Sequence, residues 1–291
     1  MLQTIHNDAM TVTIDELGAQ LMSITAADGT EYLWNGDPAY WTGRAPNLFP
    51  YVGRLTNDSY TYGGKTYQMT RHGFAKRTAF TTADQGAANL TLRMTDTLES
   101  RESYPFAFQF DVSYVLEGSA LVIVYAVENR GRETMYFGLG GHPGFRVPLE
   151  AGKSFEDYRL TFAHPSQPCR VLLSDAYMLS GHDAPYPLEG GTVLPLRHDL
   201  FDQDAIILKN FERTMTLSAG EGTRGLTLSC PNMRYLGIWH MPKTDAPYVC
   251  LEPWASLPSR QDVVEDLAQQ NDLISLESGQ RYENRWTITI F

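Results

Sequence analysis

The chain has 291 residues, of which 43% are hydrophobic and 20% charged, with 24 glycines and 16 prolines spread along its length. That composition excludes a collagen, a coiled coil and a disordered tail, and a chain near 300 residues buries about 75% of its extended surface, enough for a sizeable core. The formal net charge of −11 makes nucleic acid a poor partner, because an acidic surface repels phosphate backbones unless basic residues gather on one face.

In chain order, the hydrophobic period is 2 nearly everywhere, with turn residues between the runs, so strands dominate. Leu21 to Ile24 and Tyr32 to Trp34 flank Asp28-Gly29, and Tyr60 to Tyr62 and Thr66 to Met69 flank Gly63-Gly64; both patterns predict hairpins, since glycine supplies the positive φ of such turns. Leu90 to Met94 follows as a strand. Phe108 to Val115, Glu117-Gly118 and Ala120 to Val127 make a longer hairpin. Further strands are expected at Tyr158 to Phe162, Ala205 to Leu208, Met215 to Leu217, Leu226 to Cys230, Tyr235 to Met241, Tyr248 to Glu252 and Arg285 to Phe291. Only Asp262 to Gln269 reads as a short amphipathic helix. With no linker, repeat or low-complexity tract, the expectation is an all-β chain: one large antiparallel β-sandwich domain over residues 1–291.

Cys169, Cys230 and Cys250 are an odd number without CxxC spacing, which supports neither a disulfide framework nor a cysteine zinc site. The first eight residues lack a basic and then apolar pattern, and no run of about 18 apolar residues occurs. The expectation is therefore an unprocessed cytoplasmic protein without a membrane partner.

Four segments place polar groups where strand pattern alone would not. In Arg44 to Leu55, two prolines and Gly53 stiffen an apolar run that delivers Arg54 at a fixed place, although an edge strand with a surface arginine reads as well. Arg71-His72-Gly73 sets a histidine beside a glycine at a strand end, where it faces a ligand or simply lies in a loop. In Gly138-Leu139-Gly140-Gly141-His142-Pro143-Gly144, His142 sits among residues that leave space and limit backbone freedom, or within a glycine-rich bulge that happens to hold it. In Tyr248 to Trp254, Tyr248, Cys250 and Glu252 share one strand face, Glu252 is expected at the strand end with Pro253 stopping the ladder, and a surface glutamate is the plain alternative. The histidines show no HxH or HExxH spacing, and no GxSxG or dinucleotide loop occurs, so no metal or cofactor is expected. A carboxylate, two histidines, an arginine and aromatics on an acidic β-scaffold suit acid–base work on a neutral polar ligand.

These segments resemble the aldose 1-epimerase (galactose mutarotase) family, in its mutarotase-like bacterial subgroup. The resemblance spans nearly the whole chain and rests on Ala45 to Pro50 with Gly53-Arg54, His72 to Ala75, Tyr104 to Phe106, Gly141 to Phe145 and Leu251 to Trp254, in that order. It implies the family's supersandwich fold, Glu252 as general base, His142 as general acid, His72 as a second active-site histidine and Arg54 as a sugar-binding arginine. It also implies a sugar-binding aspartate, for which Asp204 is preferred over Asp202; Arg71 is a further binding candidate, and Trp239 and Trp254 are positioned to stack on a sugar or to pack in the core. The implied activity is interconversion of α and β hexose anomers by ring opening and closure. The anomeric hydroxyl loses a proton, the ring oxygen gains one, and the working atoms of Glu252 and His142 are expected within roughly 5–8 Å.

Two other readings share this fold. Arg44, Arg54, Arg71, Lys76 and Arg77 crowd one stretch and would suit a hexose-6-phosphate 1-epimerase; a non-catalytic sugar-binding protein is the rival of another class. Glycoside hydrolysis needs a second marked carboxylate. The expected partner is a monosaccharide or sugar phosphate, bound by a monomer or homodimer.

Overall fold

The computed structural model describes residues 1–291. Two large antiparallel sheets frame it. The nine-stranded sheet runs Val193–Pro195, Tyr158–Phe162, Thr214–Ala219, Gly225–Ser229, Arg281–Ile290, Ala120–Asn129, Phe108–Glu117, Asn89–Thr95 and Thr81–Gln85 from edge to edge. The eight-stranded sheet runs Leu179–Pro185, Cys169–Leu173, Ile206–Lys209, Tyr235–Trp239, Tyr248–Trp254, Gly140–Gly141 and Asn47–Leu48, with Gly144–Arg146 also paired to Tyr248–Trp254.

Alternation along the strands decides what faces what. Val249 and Leu251 join Ile206, Leu208, Leu236 and Ile238 in a continuous core with Leu217, Leu228, Trp286 and Ile288 of the other sheet. Burying each such side chain stabilises the fold by about 1.5–3 kcal/mol. The intervening residues Tyr248, Cys250, Glu252 and Trp254 point to the opposite face, where they meet two smaller apolar clusters. The all-β sandwich expected from the sequence is thus the observed architecture.

Some local expectations differ from the fold. Asp262 to Gln269 is not helical: Thr61 donates its N–H to the Glu265 carbonyl and accepts from the Leu267 N–H, each at 2.8 and 2.9 Å respectively, which draws the segment out beside the Tyr60 hairpin. The α-helix lies instead at Leu98–Ser103, capped by reciprocal Thr97 and Ser100 hydrogen bonds. Around Asp28-Gly29 the return strand shrinks to a bridge between Thr25 and Glu31, held by Ala26 N–H to the Thr30 carbonyl and Tyr32 N–H to the Ile24 carbonyl, on the edge of Gln20–Ala26 away from Met10–Asp15. Pro253 does not end its strand, which continues to Trp254. Leu251 and Ala255 donate to Pro143 and Leu139, so the missing N–H of Pro253 falls on that same side, between them, where the ladder is already interrupted.

Candidate active site

The interruption opposite Pro253 builds the site. Gly140 pairs with Trp254 and Gly144 with Cys250, an unbroken register that sets His142 directly across from Glu252 although the residues between, His142 and Pro143, lie outside the named strands. Cross-strand neighbours on one face lie close, and His142 Nε2 stands 3.3 Å from Glu252 Oε2. The expected 5–8 Å is therefore too long: the two groups stand side by side on the floor of a cavity instead of facing each other across it. Glu252 is interior and 1% exposed, not at a strand end. Glycine is needed around it. A Cβ on Gly140 would approach the Trp254 ring to 2.7 Å, and one on Gly237, opposite Glu252 on the far side, would lie 3.2 Å from the Glu252 Cβ.

The wall beside this pair is a lock between two segments. His72 and Gly73 both adopt positive φ, and a Cβ on Gly73 would lie 2.2 Å from the Phe49 carbonyl oxygen, so only glycine fits. His72 donates its backbone N–H to Gly53 O at 2.8 Å, and Gly53 N–H returns a bond to His72 Nδ1 at 3.1 Å. That contact fixes the tautomer: Nδ1 accepts, leaving Nε2–H to donate. Arg54 follows Gly53, with its guanidinium 5.4 Å from the Tyr177 ring centre.

Trp41 stacks on the His142 ring at 4.9 Å and 27°, while Trp239 meets it edge-on at 5.7 Å and His72 edge-on at 5.6 Å. Trp239 Nε1–H donates to Asp204 Oδ1 at 2.8 Å, which fixes the carboxylate at the start of Ile206–Lys209. A cleft of about 430 Å³, open to solvent, lies here, and His72, His142, Glu252, Arg54, Asp204 and Arg71 all line it, as do Trp239 and Trp254. Its size lies within the about 300–1,000 Å³ usual for small-molecule sites. Asp202 is exposed and does not reach the cavity, because the turn at Phe201 to Asp204 directs it to solvent.

Burial governs the charges. Desolvation holds Glu252 well above the usual carboxylate range, helped by nearby Asp204, and drives His142 down to about 3. His72 is pushed down by burial and then by His142, and Asp204 is raised by burial. A buried carboxyl and imidazole in contact thus rest as a neutral pair holding one proton. Glu252 Oε2, His142 Nδ1 and Trp254 Nε1 are buried polar atoms without a hydrogen-bond partner, an arrangement that fold stability disfavours and ligand binding uses. Side by side, the pair can exchange protons with two neighbouring oxygen atoms of one ligand.

Sequence reasoning passed over Trp41 as a cavity residue, because it sits in an irregular loop with no periodicity to mark it; Lys76, marked only as part of a basic stretch, lines the cavity too. It also missed that His142, Cys250 and Glu252 present possible metal-ligand atoms within 4.8 Å of one another, since these come from two segments brought together only by the ladder.

The aldose 1-epimerase family model matches residues 1–289. The chromosomal LacX protein of Lactococcus lactis subsp. lactis is 32% identical over 289 residues, covering 95% of this chain and 96% of that protein. A galactose mutarotase related enzyme from Lactobacillus acidophilus superimposes with a TM-score of 0.95 at 33% identity, over 100% of this chain and 97% of the other. A galactose mutarotase-like protein from Lactobacillus casei ATCC 334 gives 0.93 at 32% identity over 100% of both chains.

Proposed function

The chain belongs to the aldose 1-epimerase family, and from that premise we propose that it interconverts the α and β anomers of a hexose by acid–base ring opening and closure. The observation that carries this reading is the 3.3 Å contact of Glu252 with His142 on the floor of a sugar-sized cavity.

The substrate's anomeric hydroxyl and ring oxygen hang on one carbon, so two groups standing side by side can each serve one of them. In the resting pair the proton sits on Glu252. Passing it to His142 costs no proton from solvent and yields the carboxylate and imidazolium that the reaction needs; Arg71, which favours the ionised carboxylate, supports this form. Glu252 then accepts the anomeric proton while His142 protonates the ring oxygen. The ring opens, the aldehyde turns about the bond between its first two carbons, and closure on the other face returns both protons. Each placed proton-transfer group contributes about 10²–10⁴-fold.

The remaining side chains bind. His72 Nε2–H, Arg54 and the fixed Asp204 carboxylate reach hydroxyls, and Trp239 offers an apolar face to a ring. No helix is long and apolar enough to cross a membrane; with its three cysteines unpaired, we place the protein in the cytoplasm, as a single domain over 1–291. Polarimetry of freshly dissolved α-hexoses tests the reading: accelerated mutarotation of at least one supports it, and spontaneous rates throughout a panel of hexoses and their phosphates refute it.

A further inference from the structure

Cys250 takes no part in the proton transfers above, yet the fold brings its thiol to the pair that carries them. Cys250 and Glu252 are two residues apart in one strand and so project from the same face. Gly144 pairs with Cys250 across the ladder, and His142, two residues earlier, falls opposite Glu252. Gly144 contributes no side chain between the thiol and His142. Cys250 Sγ, one His142 ring nitrogen and one Glu252 oxygen accordingly lie within 4.8 Å of one another. Cys250 is a free cysteine and fully buried. Glu252 Oε2, on a residue only 1% exposed, has no hydrogen-bond partner. A buried oxygen left unpaired is costly unless something else coordinates it.

We propose that His142, Cys250 and Glu252 form an inhibitory binding site for a thiophilic divalent cation, with the chemistry of zinc or cadmium. Zinc takes sulfur at about 2.3 Å and nitrogen or oxygen at about 2.0–2.2 Å in a tetrahedral array, which sets its ligand atoms about 3.3–3.7 Å apart. His142 Nε2 and Glu252 Oε2 already stand at 3.3 Å, and the thiol joins them by a side-chain adjustment of about 1 Å. One sulfur, one imidazole nitrogen and one carboxylate suit zinc, whereas magnesium and calcium take oxygen ligands. Three protein ligands leave a fourth position for water on the cleft side, where His142 and Glu252 form part of the wall. Binding expels the thiol proton and the proton shared by the pair to solvent, and one thiolate and one carboxylate then balance the divalent charge. The complex is neutral, which removes the penalty for burying a charge, and Arg71 and Lys76 on the same wall act on no net charge. The metal occupies the lone pairs that exchange protons with the sugar, so turnover stops while it is bound. The site itself stands on this geometry; only its inhibitory effect rests on the epimerase reading.

The test titrates cadmium and zinc into protein first stripped of metal by a chelator, following the ultraviolet charge-transfer absorption of a cadmium–thiolate bond, calorimetric stoichiometry and anomer exchange by NMR. The expected result is one cadmium per chain with that absorption, and zinc inhibition that a chelator reverses and magnesium does not reproduce. Losing even an outer partner costs a metal site about 10–100-fold in affinity, so Cys250→Ala is expected to weaken both metals more than about 100-fold and to abolish the absorption. Cys169→Ala, on a different strand, keeps both. Glu252→Gln retains the thiol and covers the case in which Cys250→Ala does not fold; it is expected to weaken cadmium more than about 10-fold. No absorption in the wild type, an absorption that survives Cys250→Ala or depends on Cys169, or binding untouched by Glu252→Gln overturns the site. Metal held by Cys250 with undiminished anomer exchange overturns the inhibitory role. Should no sugar be turned over by the metal-free protein, the epimerase reading fails by itself, and the absorption and calorimetry still decide the site.

Discussion

Gly237 stands opposite Glu252 in the ladder between Tyr235–Trp239 and Tyr248–Trp254, and its missing side chain is what leaves room above the carboxylate. A Cβ there would approach Trp254 to 3.0 Å. Gly237→Val is expected to cost about 1–3 kcal/mol through overpacking and to reduce kcat/KM more than tenfold by crowding Glu252. Thermal melts with parallel kinetics check this; a variant with wild-type turnover contradicts it.

Glu252 is a stability liability. Its folded-state pKa is raised by burial, so the native protein keeps a proton that the unfolded chain releases above its ordinary value of about 4.3. The contribution is complete below that pH and is lost as pH rises toward the folded value. Glu252→Gln removes the penalty, and Tm at pH 7 should rise, at about 2–4 °C per kcal/mol for a chain somewhat shorter than this one. The gain should vanish near pH 4. A lower Tm at pH 7 with no pH dependence would show that the carboxylate is not burdened by burial.

The pH–rate profile follows from the single shared proton. Adding a second proton must charge His142, whose affinity for it is depressed, and removing the first must ionise Glu252, whose affinity is raised. The acid limb of kcat/KM should therefore lie below the ordinary histidine value of about 6.5 and the alkaline limb well above the carboxylate range, both belonging to the pair. An acid limb centred near the ordinary histidine value contradicts a buried, neutral His142.

Trp41 holds the His142 ring by stacking. Aromatic contacts of this kind are worth about 0.5–1.5 kcal/mol, so Trp41→Ala should lower kcat by roughly 2–10-fold while Trp41→Phe restores most of it. Equal losses in both variants argue against a positioning role.

The strand pattern was legible because alternation is local: Val249 and Leu251 against Cys250 and Glu252 can be read from seven residues. The glycines around His142 likewise announced a close approach. Three things were not legible, and each depends on contacts distant in sequence. The register that places His142 across from Glu252 arises from two separate pairings with one strand. Trp41 is defined by what it stacks on. Asp262 to Gln269 has helical spacing, yet Thr61 takes its backbone groups first. The sequence already favoured Asp204 over Asp202, and the turn after Phe201 with the Trp239 indole that donates to Asp204 agrees with that preference.

The most direct measurement is anomer exchange by NMR in the wild type and in Glu252→Gln, with ligand affinity determined on the same samples. The account predicts that the wild type accelerates exchange and that the variant loses about 10²–10⁴-fold of that acceleration while still binding sugar weakly. Undiminished exchange in Glu252→Gln would contradict the claim that this carboxylate moves the anomeric proton.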